Sequence, residues 1–144
     1  MAYQRILVPV DGSETSNKAL TAALQLARES QGSVRLLHVL DELVYVTGFE
    51  ASGELINVAR EGATRVLADA TEIAKAAGVK VDSKLVDDIG LRLGETVAKE
   101  ATEWKADLVV VGTHGRRGVG RVLLGSGAEQ VIRLSPVPVL SIRG

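Results

Sequence analysis

Short runs of apolar, β-favouring residues alternate along this chain with longer stretches whose apolar residues recur every three or four positions. No other feature limits the fold as much, because strands joined through helices return to one sheet in parallel. Arg5 to Val10 (Arg-Ile-Leu-Val-Pro-Val) reads as a strand buried on both faces. Asp11-Gly12-Ser13 breaks it, and Ser13 or Asp11 is placed to cap a helix carrying Leu20, Ala23, Leu24 and Ala27. Gly32 is positioned to stop that helix, and Ser33 to Val39 is a second strand. Asp41 to Gly53 is irregular and is expected to form a flap over one end of the sheet. A long helix follows, with Leu55, Val58, Gly62, Val66, Ala70, Ile73 and Ala77 as its apolar stripe and Gly78 as its stop. Lys80 to Val86 alternates polar with apolar residues, as a less buried strand does. Val97, Ala101 and Trp104 mark a third helix, and Leu108 to Gly112 a fourth strand. A fourth helix over Ser126 to Leu134 and a last strand over Val137 to Arg143 complete the pattern. The expected architecture is α/β: one doubly wound domain over 1–144, with a five-stranded parallel sheet and helices on both faces.

Composition narrows the function classes. With 144 residues the chain can bury a core without staples. A net charge of −1 gives no field that draws it to nucleic acid or to an anionic membrane. Aromatic residues make up 3%, which removes the stacking platforms of single-strand binders. Without cysteine there is no disulfide, thiolate catalysis or zinc-thiolate site. No apolar run reaches the roughly 20 residues of a membrane span, and the first residues lead into a strand, so a cytoplasmic protein is expected.

The most distinctive local run follows the fourth strand, Gly112-Thr113-His114-Gly115-Arg116-Arg117-Gly118-Val119-Gly120-Arg121-Val122-Leu123-Leu124-Gly125-Ser126. A strand, a glycine-rich loop and a helix start in that order form a phosphate site, because glycines admit the anion and unpaired helix amides donate to it. Gly115 to Val122 comes close to a P-loop, but Val122 stands where the magnesium-binding hydroxyl is needed. No Gly-x-Gly-x-x-Gly follows the first strand and there is no Gly-x-Ser-x-Gly elbow, which speaks against a dinucleotide enzyme and an α/β-hydrolase. Ligands of such sheets bind beyond the strands' carboxyl ends where the winding reverses. The loop after Val10 and the loop after Val111 suit that place, so Asp11 and Gly112 are expected to face one crevice.

The spacing Gly-x2-Gly-x9-Gly-[Ser/Thr] over Gly112, Gly115, Gly125 and Ser126 resembles the nucleotide-binding motif of the universal stress protein family. The resemblance extends over Arg5-Ile-Leu-Val-Pro-Val-Asp11-Gly-Ser, Leu36-Leu-His-Val-Leu-Asp41, Ala106-Asp-Leu-Val-Val-Val-Gly112 and Ser135-Pro-Val-Pro-Val-Leu-Ser-Ile-Arg143. It implies a Rossmann-like sheet of the adenine nucleotide α-hydrolase-like kind. It also implies that Asp11 contacts the ribose hydroxyls while the backbone of Pro9, Val10 and Val39 frames adenine. Val111, Gly112, His114 and Gly115 would bind ribose and phosphate. Gly125, Ser126, Gly127 and Ala128 would hold the terminal phosphates of ATP, with Mg²⁺ or Mn²⁺ bridging them. Many ATP-binding relatives carry branched or hydroxylic residues at 127 and 128; here backbone donors remain and a side-chain hydroxyl does not. Homodimerisation through Val137–Ile142 is implied as well, and the strand's bare apolar edge supports it.

The expected function is an ATP-binding stress-response regulator with little or no hydrolysis, since no general base or water-activating group is arranged in the sequence. A slow nucleotide-dependent enzyme and a nucleotide-free dimeric scaffold are the competing readings. His38 reads as a satisfied core histidine, Trp104 as a core or rim residue, and Arg116, Arg117 and Arg121 as positive charge beside a polyanion.

Overall fold

The computed structural model describes residues 3–40, 53–87, 92–113 and 126–144. In chain order these form β1 (Arg5–Pro9), α1 (Glu14–Ser30), β2 (Ser33–Val39), α2 (Gly53–Ala76), β3 (Lys80–Val86), α3 (Leu93–Trp104), β4 (Leu108–Gly112), α4 (Ser126–Leu134) and β5 (Val139–Ile142). The strands build one parallel sheet in the order β3-β2-β1-β4-β5. β1 lies at its centre because Ile6, Leu7 and Val8 are apolar on both faces, and all three are wholly buried. Such burial contributes about 1.5–3 kcal/mol per large aliphatic side chain.

Each face of the sheet has its own core. Ile6, Val8, Val34, Leu36 and Val110 pack under α1 and α2, against Leu20, Ala23, Leu67 and Ala74. Leu7, Leu37, Val109 and Val111 pack under α3 and α4, against Val97, Ala101, Trp104 and Val131. This is the period of two of a strand, laid out on both sides of the sheet. β3 and β5 are its edges; Lys80, Asp82 and Lys84 of β3 are exposed, as the alternation predicts, and Ser83 departs from it by being exposed as well.

One open alternative is decided and three local expectations change. Ser13, and not Asp11, caps α1: its Oγ accepts from the Ser16 amide at 3.2 Å. Gln31 takes the left-handed position that ends α1, with φ 57°. Gly32 is needed for a different reason, since a Cβ there would lie 2.8 Å from the Tyr3 carbonyl oxygen. The buried stripe of α2 is Ala63, Leu67, Ala70 and Ala74, while Val58 and Ile73 face out. β5 begins at Val139, because Pro136 and Pro138 lack the amide that a ladder requires. The expected flap over 41–53 lies almost wholly outside the described residues.

Candidate functional site

The sheet order turns between β1 and β4. β1 continues through α1 to β2 on one side, whereas β4 and β5 stand on the other. Ile6 pairs with Leu108 and Leu7 with Val109, so the same register brings Val10 level with Gly112. Open parallel sheets take their ligands beyond the carboxyl ends of the strands at such a turn in the order.

The first loop is fixed by its own short polar side chains. The Asp11 carboxylate accepts from the Ser13 amide at 2.9 Å, an Asx turn. The Asp11 amide donates to Ser16 Oγ at 3.1 Å, and the Ser13 carbonyl accepts from the Asn17 amide at 3.0 Å. Between them Gly12 adopts φ +82°, a region that glycine enters without penalty. The turn therefore holds its shape without help from a ligand, and Asp11 sits half-buried at the mouth of the sheet.

The end of β4 meets the start of α1 through a missing side chain. A Cβ on Gly112 would lie 2.8 Å from Thr15 Cγ2 and 3.0 Å from the Thr15 carbonyl carbon and oxygen. The first turn of α1 thus lies directly on the end of β4, and Thr15 is buried there. Thr113 continues the ladder, its amide donating to the Ile142 carbonyl at 2.9 Å. Thr15, Ser16 and Thr113 were not singled out by sequence. Ser16 carried a faint signal, three residues after the capping Ser13; Thr15 and Thr113 carried none.

The remaining expected residues divide between the two faces. Val39, Val111 and Ala128 belong to the α3/α4 core, while Val10 belongs to the α1/α2 core. Pro9 closes β1, half-buried. The Val10 amide donates to the Leu37 carbonyl at 2.8 Å. The Val10 carbonyl oxygen lies 2.6 Å from His38 Nδ1, which donates to it in the Nδ1-protonated form. His38 is therefore a satisfied structural histidine. Ser126, Gly127 and Ala128 form the first turn of α4, whose leading amides have no acceptor within the helix. His114, Gly115, Gly125, Arg116, Arg117 and Arg121 lie outside the described residues.

Strong ion pairing sits away from these strand ends, between β2, β3 and α3. Arg35 forks onto Asp82 at 2.8 and 2.9 Å and reaches Glu100 at 2.8 Å. Lys84 meets the other Glu100 oxygen at 2.9 Å. The hydrogen bonds from Arg35 hold the Asp82 carboxyl below the usual aspartate range, and Asp82 in turn raises the Arg35 guanidinium above its ordinary value. Arg5 and Arg35 both stack on Trp104, 4.2 and 5.0 Å from its ring centroid. Among the described residues no group of three or more His, Asp or Glu side chains could hold a metal ion.

The model of the universal stress protein family matches residues 2–143. A universal stress protein from Methanocaldococcus jannaschii is 34% identical over 144 residues, covering 98% of this chain and 82% of its own length. A universal stress protein solved in complex with cAMP is 28% identical with a TM-score of 0.71, covering 99% of this chain and 98% of its own. A universal stress protein from Archaeoglobus fulgidus, solved in complex with dAMP, is 26% identical with a TM-score of 0.72 and covers 99% of both chains.

Proposed function

The chain belongs to the universal stress protein family, and from that we propose that it is a stress-related protein binding an adenine nucleotide, ATP in particular, beyond the ends of β1 and β4. The observation that carries this reading is the fit of Gly112 under Thr15. It puts the prefolded Asp11 turn beside the end of β4, at the switch point where such sheets take ligands. Relatives solved with cAMP and with dAMP support the adenine nucleotide class.

In this reading Asp11 takes the ribose hydroxyls, because a carboxylate accepts several hydrogen bonds at once. Pro9, Val10 and Val39 wall the base. Val111, Gly112, His114 and Gly115 follow the ribose and first phosphate. Gly125 and the leading amides at Ser126, Gly127 and Ala128 receive the terminal phosphates, helped by the positive end of the α4 dipole. The Mg²⁺ or Mn²⁺ that accompanies ATP is held by the phosphates themselves. Binding, with little or no hydrolysis, changes what the protein contacts.

Residues 1–144 act in this reading as one nucleotide-binding unit in the cytoplasm, and a second copy pairs along β5. That strand is a sheet edge and leaves Leu140 exposed. Sedimentation at micromolar concentration should show a dimer, and a monomer alone would remove this part.

Thermal denaturation with added ATP and Mg²⁺ tests the main proposal. A ligand present at a hundred times its Kd stabilises by about 2.7 kcal/mol, a Tm rise of roughly 5–10 °C for a chain of this size. No rise at millimolar ATP would reject it.

A further inference from the structure

The starts of α3 and α4 are joined by reciprocal close contacts. Arg92 caps α3 without any side-chain hydrogen bond, so the amides of its first turn need acceptors from elsewhere. One acceptor comes from the neighbouring helix: the Gly94 amide donates to Gln130 Oε1 at 3.2 Å. A side chain at position 94 has no room, since a Cβ there would fall on Gln130 Cβ and within 2.8 Å of the Gln130 carbonyl carbon. On the other side, a Cβ on Gly127 would lie 2.7 Å from Leu93 Cδ2. Each helix thus presents a glycine to a side chain of the other near its start, and Gln130 adds the hydrogen bond that fixes their register. Ala128 and Val131 beside it are buried in the α3/α4 core.

We propose that Gln130 is a positioning residue for phosphate binding: by capping α3 it holds the leading amides of α4 where the terminal phosphates arrive. The inference rests on the assignment of Ser126 to Ala128 to those phosphates. Gln130 stands four residues after Ser126, about 6 Å along the helix at 1.5 Å per residue. It touches no nucleotide in this scheme and acts only through the placement of α4. Binding groups need to be held within about 0.5 Å of their productive positions, and a helix free to shift against its neighbour does not meet that tolerance. Adenosine, which has no phosphates, is indifferent to where α4 begins.

The test is Gln130→Met in the full chain, with calorimetric affinities for Mg²⁺-ATP and for adenosine. Methionine keeps the length of the side chain and removes the carbonyl acceptor. ATP affinity should fall about three- to tenfold, the worth of one neutral hydrogen bond, while adenosine affinity stays within about twofold. A role confined to stability would lower Tm and leave the ratio of the two affinities unchanged, and that result overturns the inference while leaving the proposed function standing. A wild-type protein that binds neither ligand removes both. Hydrogen exchange in the wild-type protein decides the matter if the variant does not fold. ATP should slow exchange at the Gly94 amide more than adenosine does, and equal protection by the two ligands would contradict the positioning role.

Discussion

Replacing Gly112 by alanine probes the contact that joins the end of β4 to the start of α1. The new Cβ would lie 2.8 Å from Thr15 Cγ2 and 3.0 Å from the Thr15 carbonyl carbon and oxygen. Carbon atoms in ordinary contact stand about 3.5–4.0 Å apart, so the first turn of α1 must withdraw by roughly 0.5–1 Å. Gly112 does not occupy the left-handed region, so alanine adds no backbone strain and the whole effect comes from this contact. Overpacking of this kind costs about 1–3 kcal/mol, or a Tm lower by roughly 3–9 °C. Thr15→Ser removes Cγ2 but leaves the backbone atoms in place, so the double variant should recover part of the loss, with a coupling of at least about 0.5 kcal/mol. Thermal unfolding followed by circular dichroism measures all four proteins of the cycle. ATP affinity of Gly112→Ala should also fall, because the Asp11 turn moves with α1. A Gly112→Ala protein as stable as wild type, or strict additivity with Thr15→Ser, would refute the reasoning.

Asp11→Asn keeps an oxygen for the Ser13 amide and removes the charge. We expect Tm to change little and ATP affinity to fall about tenfold, the difference between charged and neutral acceptors; unchanged affinity in calorimetry removes Asp11 from the ribose. The Glu100 side chain is 4% exposed and holds both Arg35 and Lys84. Breaking a fully buried pair costs about 3–5 kcal/mol, and because both cations reach solvent, Glu100→Ala should cost about 2–3 kcal/mol in urea unfolding, without altering the ratio of ATP to adenosine affinity. Asp82 titrates below its ordinary range because of Arg35. Its contribution is therefore complete above the unfolded value of about 3.9 and disappears as pH falls through the lower folded value. Asp82→Asn should flatten the acid limb of the stability profile below about pH 4, and an unchanged limb would count against that pairing.

Sequence patterning reached the sheet because the strands announce themselves. Ile6-Leu7-Val8 is apolar on both faces and belongs at the centre of a parallel sheet, while Lys80 to Val86 alternates and lies at an edge. α2 shows where periodicity misleads. The expected stripe holds at Val66, Ala70 and Ala77, which pack on the core, but its large residues Val58 and Ile73 face out while Ala63, Leu67 and Ala74 are buried instead. Gly32 shows that a glycine after a helix need not be its stop, since Gln31 reverses the chain and Gly32 admits the Tyr3 carbonyl.

At the candidate site, the break at Asp11-Gly12-Ser13 and the helix cap are legible because both are local patterns, whereas the Asx turn of Asp11 emerges only in the structure. The seating of Gly112 on Thr15 joins segments far apart in sequence, and no pattern within either segment encodes it. The bond from Gly94 to Gln130 is a side chain of one helix serving the backbone of another, which again leaves no local trace. The switch-point argument alone sets the ends of β1 and β4 side by side, and the sheet order agrees.

Amide chemical-shift mapping of the 15.2 kDa chain during titration with Mg²⁺-ATP and then with adenosine tests the central claim most directly. Both ligands should move the amides of Asp11, Gly12, Gly112 and Thr113, and ATP alone should also move Gly127 and Ala128. Shifts gathered elsewhere on the protein, or an ATP response that spares the start of α4, would contradict it.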